Sequence, residues 1–231
     1  MTSGKSHLVP LPPVGDGSST SRLVDELSLS IHLGRMAPGQ PLREVEIAES
    51  HNVSRTIVRA ALQRLEAQGL AEITLNKGAR VRELDAVAVE DMIELHVQLA
   101  TLAARNAARR ASPEQAALMA QFAGLMERVA EDGGAADEFQ HLRIGFARAL
   151  FEAAGPILAE RLRTAAPVTP YHAKAMDDLH TREGQVEAAR NARDIVKAVE
   201  NRTPEAAAAA AERMLRRHAE RTIVERMKLP A

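Results

Sequence analysis

The stretch from Leu42 to Val81, LREVEIAESHNVSRTIVRAALQRLEAQGLAEITLNKGARV, decides how the first part of the chain folds. Ile47, Ala48, Val53, Val58, Leu62 and Leu65 recur at helical spacing, which predicts two short helices sharing one apolar face. Asn52 falls at the corner between them, where the chain needs a positive φ that Asn tolerates better than any residue but Gly. Ser54 follows as an N-cap, its hydroxyl placed to accept from a backbone N–H of the next helix. Gly69 closes that helix. Beyond it, Ala71 to Leu75 and Ala79 to Glu83 read as two short strands around Asn76-Lys77-Gly78. Helix, tight turn, helix and hairpin in this order are the layout of a winged helix-turn-helix.

The outward face of the second helix carries the chemistry. Arg55 and Arg59 are four residues apart, on one side and clear of the apolar stripe. Between Val53 and Leu65 every charged residue is an arginine: Arg55, Arg59 and Arg64. A helix N-terminus with free N–H groups, the hydroxyls of Ser54 and Thr56 and two guanidinium forks suits phosphate oxygens and guanine edges in a major groove. The hairpin tip adds Lys77 and a flexible backbone, which is what a wing needs to touch a phosphate or a minor groove. Arginines on a helix also serve plain solubility, and the adjoining hairpin is what tilts this pair toward nucleic acid.

Composition bounds the rest. A chain of 231 residues has room for two modest domains. It is 45% hydrophobic but only 2% aromatic, so aliphatic side chains must build its core, and alanine-rich composition favours helix over sheet. A net charge of −1 gives no global pull toward nucleic acid. Residues 1–84 hold ten Lys/Arg against nine Asp/Glu, so affinity must rest on where the arginines sit and on dimerisation. With no cysteine, a disulfide framework and a thiolate zinc site are both excluded. No run approaches the ~20 apolar residues needed to span a bilayer, and no signal-peptide h-region opens the chain, so a cytoplasmic location is expected. No G-x-S-x-G and no Gly-rich phosphate loop occurs, and no enzymatic activity is expected.

In chain order, residues 1–20 are rich in Gly, Pro and Ser without periodicity, which predicts a disordered arm. Ser21 is expected to cap a helix running to about Leu33 on a Leu23, Leu27, Ile31 stripe, ended by Gly34. A winged helix-turn-helix domain over 21–84 is then followed by a helical domain over 85–231. Helices are predicted at about 86–110, 113–131, 135–154, 157–165 and 181–201. A last one begins at Thr203-Pro204-Glu205, with Thr203 as cap, and ends near Met227. The fold class is mainly α, a winged helix-turn-helix plus an all-α bundle.

The run Leu42-x-Glu44-x-x-Ile47-Ala48, then Val53-Ser54-Arg55-Thr56-x-Val58-Arg59-x-Ala61-Leu62-x-x-Leu65-Glu66-x-x-Gly69-Leu70, then Gly78-Ala79-x-Val81, resembles the DNA-binding domain of the GntR family of bacterial transcription regulators. Ile57 departs from the usual proline or threonine, and Ala60 from the usual glutamate. The resemblance implies DNA contacts from Ser54, Arg55, Thr56 and Arg59 and from the wing tip Asn76, Lys77 and Gly78. Arg43, at the start of the first helix of the motif, is placed to reach a backbone phosphate.

The second half resembles, through Phe146, Gly155, the Ile195-x-x-Ala198-Val199 run and Arg216-Arg217-His218, the FCD-type effector domain of the FadR subfamily. That resemblance implies a homodimer that binds double-stranded operator DNA and a small, often acidic, metabolite. Many such domains hold a divalent metal through an aspartate and three histidines, whose positions here read Arg143, Ala147, Ala192 and His218. One imidazole cannot hold such an ion, so no metal and no other cofactor is expected. Asp137 and His141, also four apart, read as an ordinary helix pair. Arg143, helped by His96 and His218, is expected to bind an acidic effector directly. The alternative is that Arg143 pairs with Asp137, Glu138 or Glu187 or lies on the surface. His172 and His180 read as exposed side chains near a loop. A metabolite-controlled transcription regulator is therefore expected; the competing reading is an effector-independent DNA-binding protein whose helical domain only dimerises.

Overall fold

The computed structural model describes residues 17–32, 34–165 and 181–226, without the side chains of Ala86, 161–165 and 217–226. Residues 1–16 of the expected arm, and the segment with His172 and His180, lie outside the described residues. In chain order the elements are α1 (Ser19–His32), β1 (Pro41–Leu42), α2 (Glu44–Ser50), α3 (Arg55–Ala67), β2 (Ala71–Thr74) and β3 (Gly78–Val81). They continue with α4 (Ala86–Arg110), α5 (Pro113–Asp132), α6 (Ala136–Ala153), α7 (Pro156–Ala165), α8 (Arg182–Glu200) and α9 (Pro204–Arg226). Among the described residues, one compact unit comprises 17–100, 156–165 and 212–226, and the other 101–155 and 181–211.

The first unit contains the winged helix. Leu23, Val24, Leu27 and Ile31 of α1 are each no more than 5% exposed and meet Val58, Ala61, Leu62 and Leu65 of α3 in one apolar core. Ile47 is buried with them, and Ala48 and Val53 pack partly buried against the same cluster. Ser21 does not cap α1. Ser18 Oγ accepts from the Ser21 N–H at 3.2 Å, and Ser21 is buried one turn further in, where its hydroxyl accepts from Arg64 Nη1 at 2.9 Å. The helical row Ser21, Val24, Ser28 and Ile31 is buried throughout, so Ser21 has to lie inside the helix. Arg64, one of the three arginines of α3, is thereby turned away from the face that carries Arg55 and Arg59.

The sheet has three strands in the order β1-β3-β2, all antiparallel. β1 is invisible to periodicity because two residues cannot alternate, and Pro41 suits an edge, where no N–H is required of it. Pairing of Pro41 with Arg80 and Leu42 with Ala79 ties the entry to α2 to the wing. The hairpin is shorter than expected, ending at Thr74 and resuming at Gly78. Lys77 N–H donates to Thr74 O at 3.0 Å, and Asn76 takes a φ of 63°, so the tip is a closed turn rather than a strand extension.

The second unit is helical. α5 packs against both α6 and α8, around Phe122, Phe139 and Phe146, which are at most 1% exposed. Ser112 opens α5 with a capping box, its Oγ accepting from Gln115 N–H and its own N–H donating to Gln115 Oε1. Gly145 lets α6 approach α5 closely, since a Cβ there would stand 2.2 Å from Phe122 Cε1. Thr203 was expected to cap α9, but its hydroxyl donates to Ala198 O at 3.1 Å and closes the end of α8 instead. No helix of the described residues is long and apolar enough to cross a membrane.

Candidate nucleic-acid interface

The corner before α3 is built as its residue types require. His51 N–H donates to Ile47 O, Asn52 takes a φ of 51°, and Val53 N–H returns to Ala48 O at 3.0 Å. Ser54 is extended, with φ −73° and ψ 152°, and its Oγ accepts from Ile57 N–H at 3.3 Å. That one bond fixes where α3 begins. Ser54, Arg55, Thr56 and Arg59 are all exposed at the start of the helix, while Val58 on its other face is fully buried.

Arg55 and Arg59 converge on one carboxylate. Arg55 Nη2 donates to Glu44 Oε2 at 3.2 Å, and Arg59 Nε donates to both Glu44 oxygens at 2.9 Å. The arginine side chains are nevertheless 58% and 62% exposed, against 29% for Glu44. The bond from Arg59 holds the Glu44 carboxyl below the usual carboxylate range; partial burial opposes this and the bond from Arg55 adds to it. Arg43 is the N-cap residue of α2 without a capping bond of its own side chain. Its Nη1 donates to Glu46 Oε1 at 2.8 Å, with both groups well exposed.

These residues border a cleft of about 930 Å³. Arg43, Arg55 and Arg59 line it from the helical side, and Lys77 and Gly78 from the wing. Ser54, Thr56 and Asn76 are exposed but outside that lining. Gly78 takes a φ of 81°, and a Cβ there would meet nothing within 4 Å, so the wing tip stands in open space. The arrangement presents four cations to whatever enters the cleft. Sequence reasoning gave Glu44 no role, because nothing in the spacing of residue 44 foretells that it meets positions eleven and fifteen further on. The usable signal was a first-turn carboxylate on α2 preceding a helix whose charges up to Leu65 are all arginines.

In the other unit, Arg143 lies on α6. Its Nε donates to Gln140 Oε1 at 2.9 Å, and among the described residues no carboxylate makes an ion pair with it. Asp137, Glu138 and Glu187 are therefore not its partners, and it is not a surface residue. Part of it remains reachable by water, yet the surrounding atoms strip most of its hydration, and burial pushes the guanidinium down to about 10. It is still a cation at neutral pH. His96 is buried on α4 in the first unit, and the side chain of His218 lies outside the described ones. At the positions that the resemblance assigns to a metal, Ala147 is half-buried and Ala192 fully buried. Two methyl groups and a guanidinium offer a cation no lone pair, so these residues do not fit a divalent ion. Among the described residues no group of three or more His, Cys, Asp or Glu is placed to hold a metal ion.

The fold and this cleft define a winged helix-turn-helix protein with a helical second half. The chain matches the family described as bacterial regulatory proteins, gntR family, over residues 19–81 and the FCD domain over residues 91–217. It belongs to the GntR family, in the branch that carries an FCD domain. It is 40% identical over 85 residues to the Nta operon transcriptional regulator of Aminobacter aminovorans, covering 37% of this chain and 40% of that one. It is 34% identical over 113 residues to a probable D-xylose utilization operon transcriptional repressor of Paenarthrobacter nicotinovorans, covering 49% and 50%. The chain thus spans half or less of the length of these curated relatives. E. coli McbR/YncC has the same fold, with a TM-score of 0.77 at 18% identity over 92% of this chain and 100% of that one.

Proposed function

We propose that this chain is a homodimeric, sequence-specific transcription regulator that binds operator DNA through residues 21–84 and answers to a small acidic metabolite in its helical domain. The observation that carries the reading is the pair Arg55 and Arg59, exposed one turn apart at the start of α3 and facing a cleft whose other wall is the wing with Lys77. In this reading α3 enters the major groove, Ser54 and Thr56 bind phosphate beside it, and Arg43 and the wing tip hold the flanking backbone. Arg143 supplies the effector contact: a half-buried cation with no carboxylate partner among the described residues is poorly solvated until an anion joins it.

The test begins with duplexes enriched by the wild-type chain from a randomised library. Arg55→Ala and Arg59→Ala are each expected to weaken binding to the enriched duplex roughly ten- to hundred-fold, and binding to a scrambled one much less. Unaltered binding by both variants would refute those roles. For the effector, carboxylic acids that raise the melting temperature of the wild type should leave Arg143→Met unmoved.

A further inference from the structure

Among the described residues, Glu44 is the one carboxylate that touches both outward arginines of α3. A negative charge in a cleft meant for a polyanion opposes binding; the first turn of α2 favours a carboxylate, but Glu46 supplies one there as well, and Glu44 makes no capping bond. Its geometry has a different consequence. Arg59 gives its Nε to Glu44, so its two Nη groups, the fork that fits guanine or a phosphate, remain uncommitted among the described residues. Arg55 commits only Nη2 among the described residues. Two long, entropically costly side chains are thereby held in one orientation before any duplex arrives.

We propose that Glu44 is a positioning and specificity-determining residue, which aims the forks of Arg55 and Arg59 at base edges and disfavours duplexes that draw them away. On a matching site the arginines keep Glu44 and read bases with their free groups. On a mismatched site they must swing to phosphates, and the Glu44 carboxylate is left without its donors beside a polyanion. Glu44 therefore weakens non-specific binding more than specific binding. This inference rests on the DNA-binding reading above, and the experiment separates the two.

Dissociation constants are measured for the enriched and the scrambled duplex with wild type, Glu44→Gln, Glu44→Asp and Glu46→Gln. Glu46 lines the same cleft and, among the described residues, pairs with Arg43 and with neither Arg55 nor Arg59, so its variant removes the same charge without touching the two arginines. Glu44→Gln is expected to tighten the scrambled duplex and to lower the ratio between the two duplexes about tenfold or more. Glu44→Asp, which keeps the charge but retracts it by one methylene, should also lower the ratio. Glu46→Gln should tighten both duplexes alike and leave the ratio within about twofold. A Glu44→Gln ratio no different from that of Glu46→Gln overturns the inference and leaves DNA binding intact. Should Glu44→Gln fail to fold, Glu44→Asp decides alone, an undiminished ratio overturning the proposal. A wild-type chain that enriches no sequence removes the DNA-binding reading and this inference with it.

Discussion

At the scale of single residues, the chain separates two kinds of cation. Arg43, Arg55 and Arg59 are exposed and paired with acids in their own domain, and all three line the cleft. Arg143 is half-buried, and its one hydrogen bond among the described residues goes to a neutral amide. A desolvated guanidinium without an anionic partner lowers stability. Replacing Arg143 by the similarly long, apolar Met is therefore expected to raise the melting temperature of the free protein by several degrees, on the order of 1–3 kcal/mol. Differential scanning calorimetry without added acids measures this directly, and a lower melting temperature for the variant would mean that Arg143 is a structural support. The exposed arginines were legible in the sequence because an N-cap serine and the apolar stripe fix which way positions 55 and 59 point. The environment of Arg143 was not, since spacing within α6 says nothing about whether an acid from another helix reaches it.

Elements show the same division between local and long-range information. The helices from α4 onward stand within a residue or two of their expected ends because Ser112-Pro113, Gly133 and Gly155 act within a turn of their own positions. β1, the role of Ser21 and the bond from Thr203 escaped because each is decided by a partner elsewhere: β3, Arg64 and the end of α8. Gly145 belongs to this second group. Inside a helix, Gly→Ala ordinarily stabilises by about 1 kcal/mol, but here the added methyl would stand 2.2 Å from the fully buried ring of Phe122. Overpacking of this sort costs about 1–3 kcal/mol. Gly145→Ala should consequently lose stability, and chemical denaturation of Gly145→Ala with and without Phe122→Leu should show part of that loss restored in the double variant.

The contact between α5 and α8 also sets an acid limit. Glu127 accepts from Arg193 Nε at 3.0 Å and from its Nη2 as well, and this bonding holds the Glu127 carboxyl below the usual carboxylate range against a smaller opposing effect of burial. A depressed carboxyl contributes stability that is fully present above its unfolded value and is lost as pH falls through its folded one. The melting temperature of wild type should therefore drop from about pH 4.5 downward. Glu127→Gln should melt lower at neutral pH and lose less on acidification; parallel curves for the two proteins would show that the pair is energetically silent.

For the whole molecule, thirty basic against thirty-one acidic side chains leave no field to draw the chain to DNA, so affinity has to come from contacts counted one by one. On the proposed function, each winged helix offers Arg43 and Lys77 as phosphate contacts beside Arg55 and Arg59, all four of which line the cleft. One copy would release few counterions and bind weakly at physiological salt. Two copies on one duplex double the contacts and confine the reading helices to half-sites about one helical turn apart, roughly 34 Å. Counting two to four neutralised phosphates per copy, the logarithm of affinity should fall against the logarithm of salt with a slope of about −4 to −7 for a dimer and half that for a single copy. Sedimentation should correspondingly give twice the 25.0 kDa of one chain, both free and on DNA. Hydroxyl-radical footprinting should protect two patches on one face of the enriched duplex. A single patch, with a slope near −2, would make the binding unit one chain and would remove dimerisation as the source of affinity.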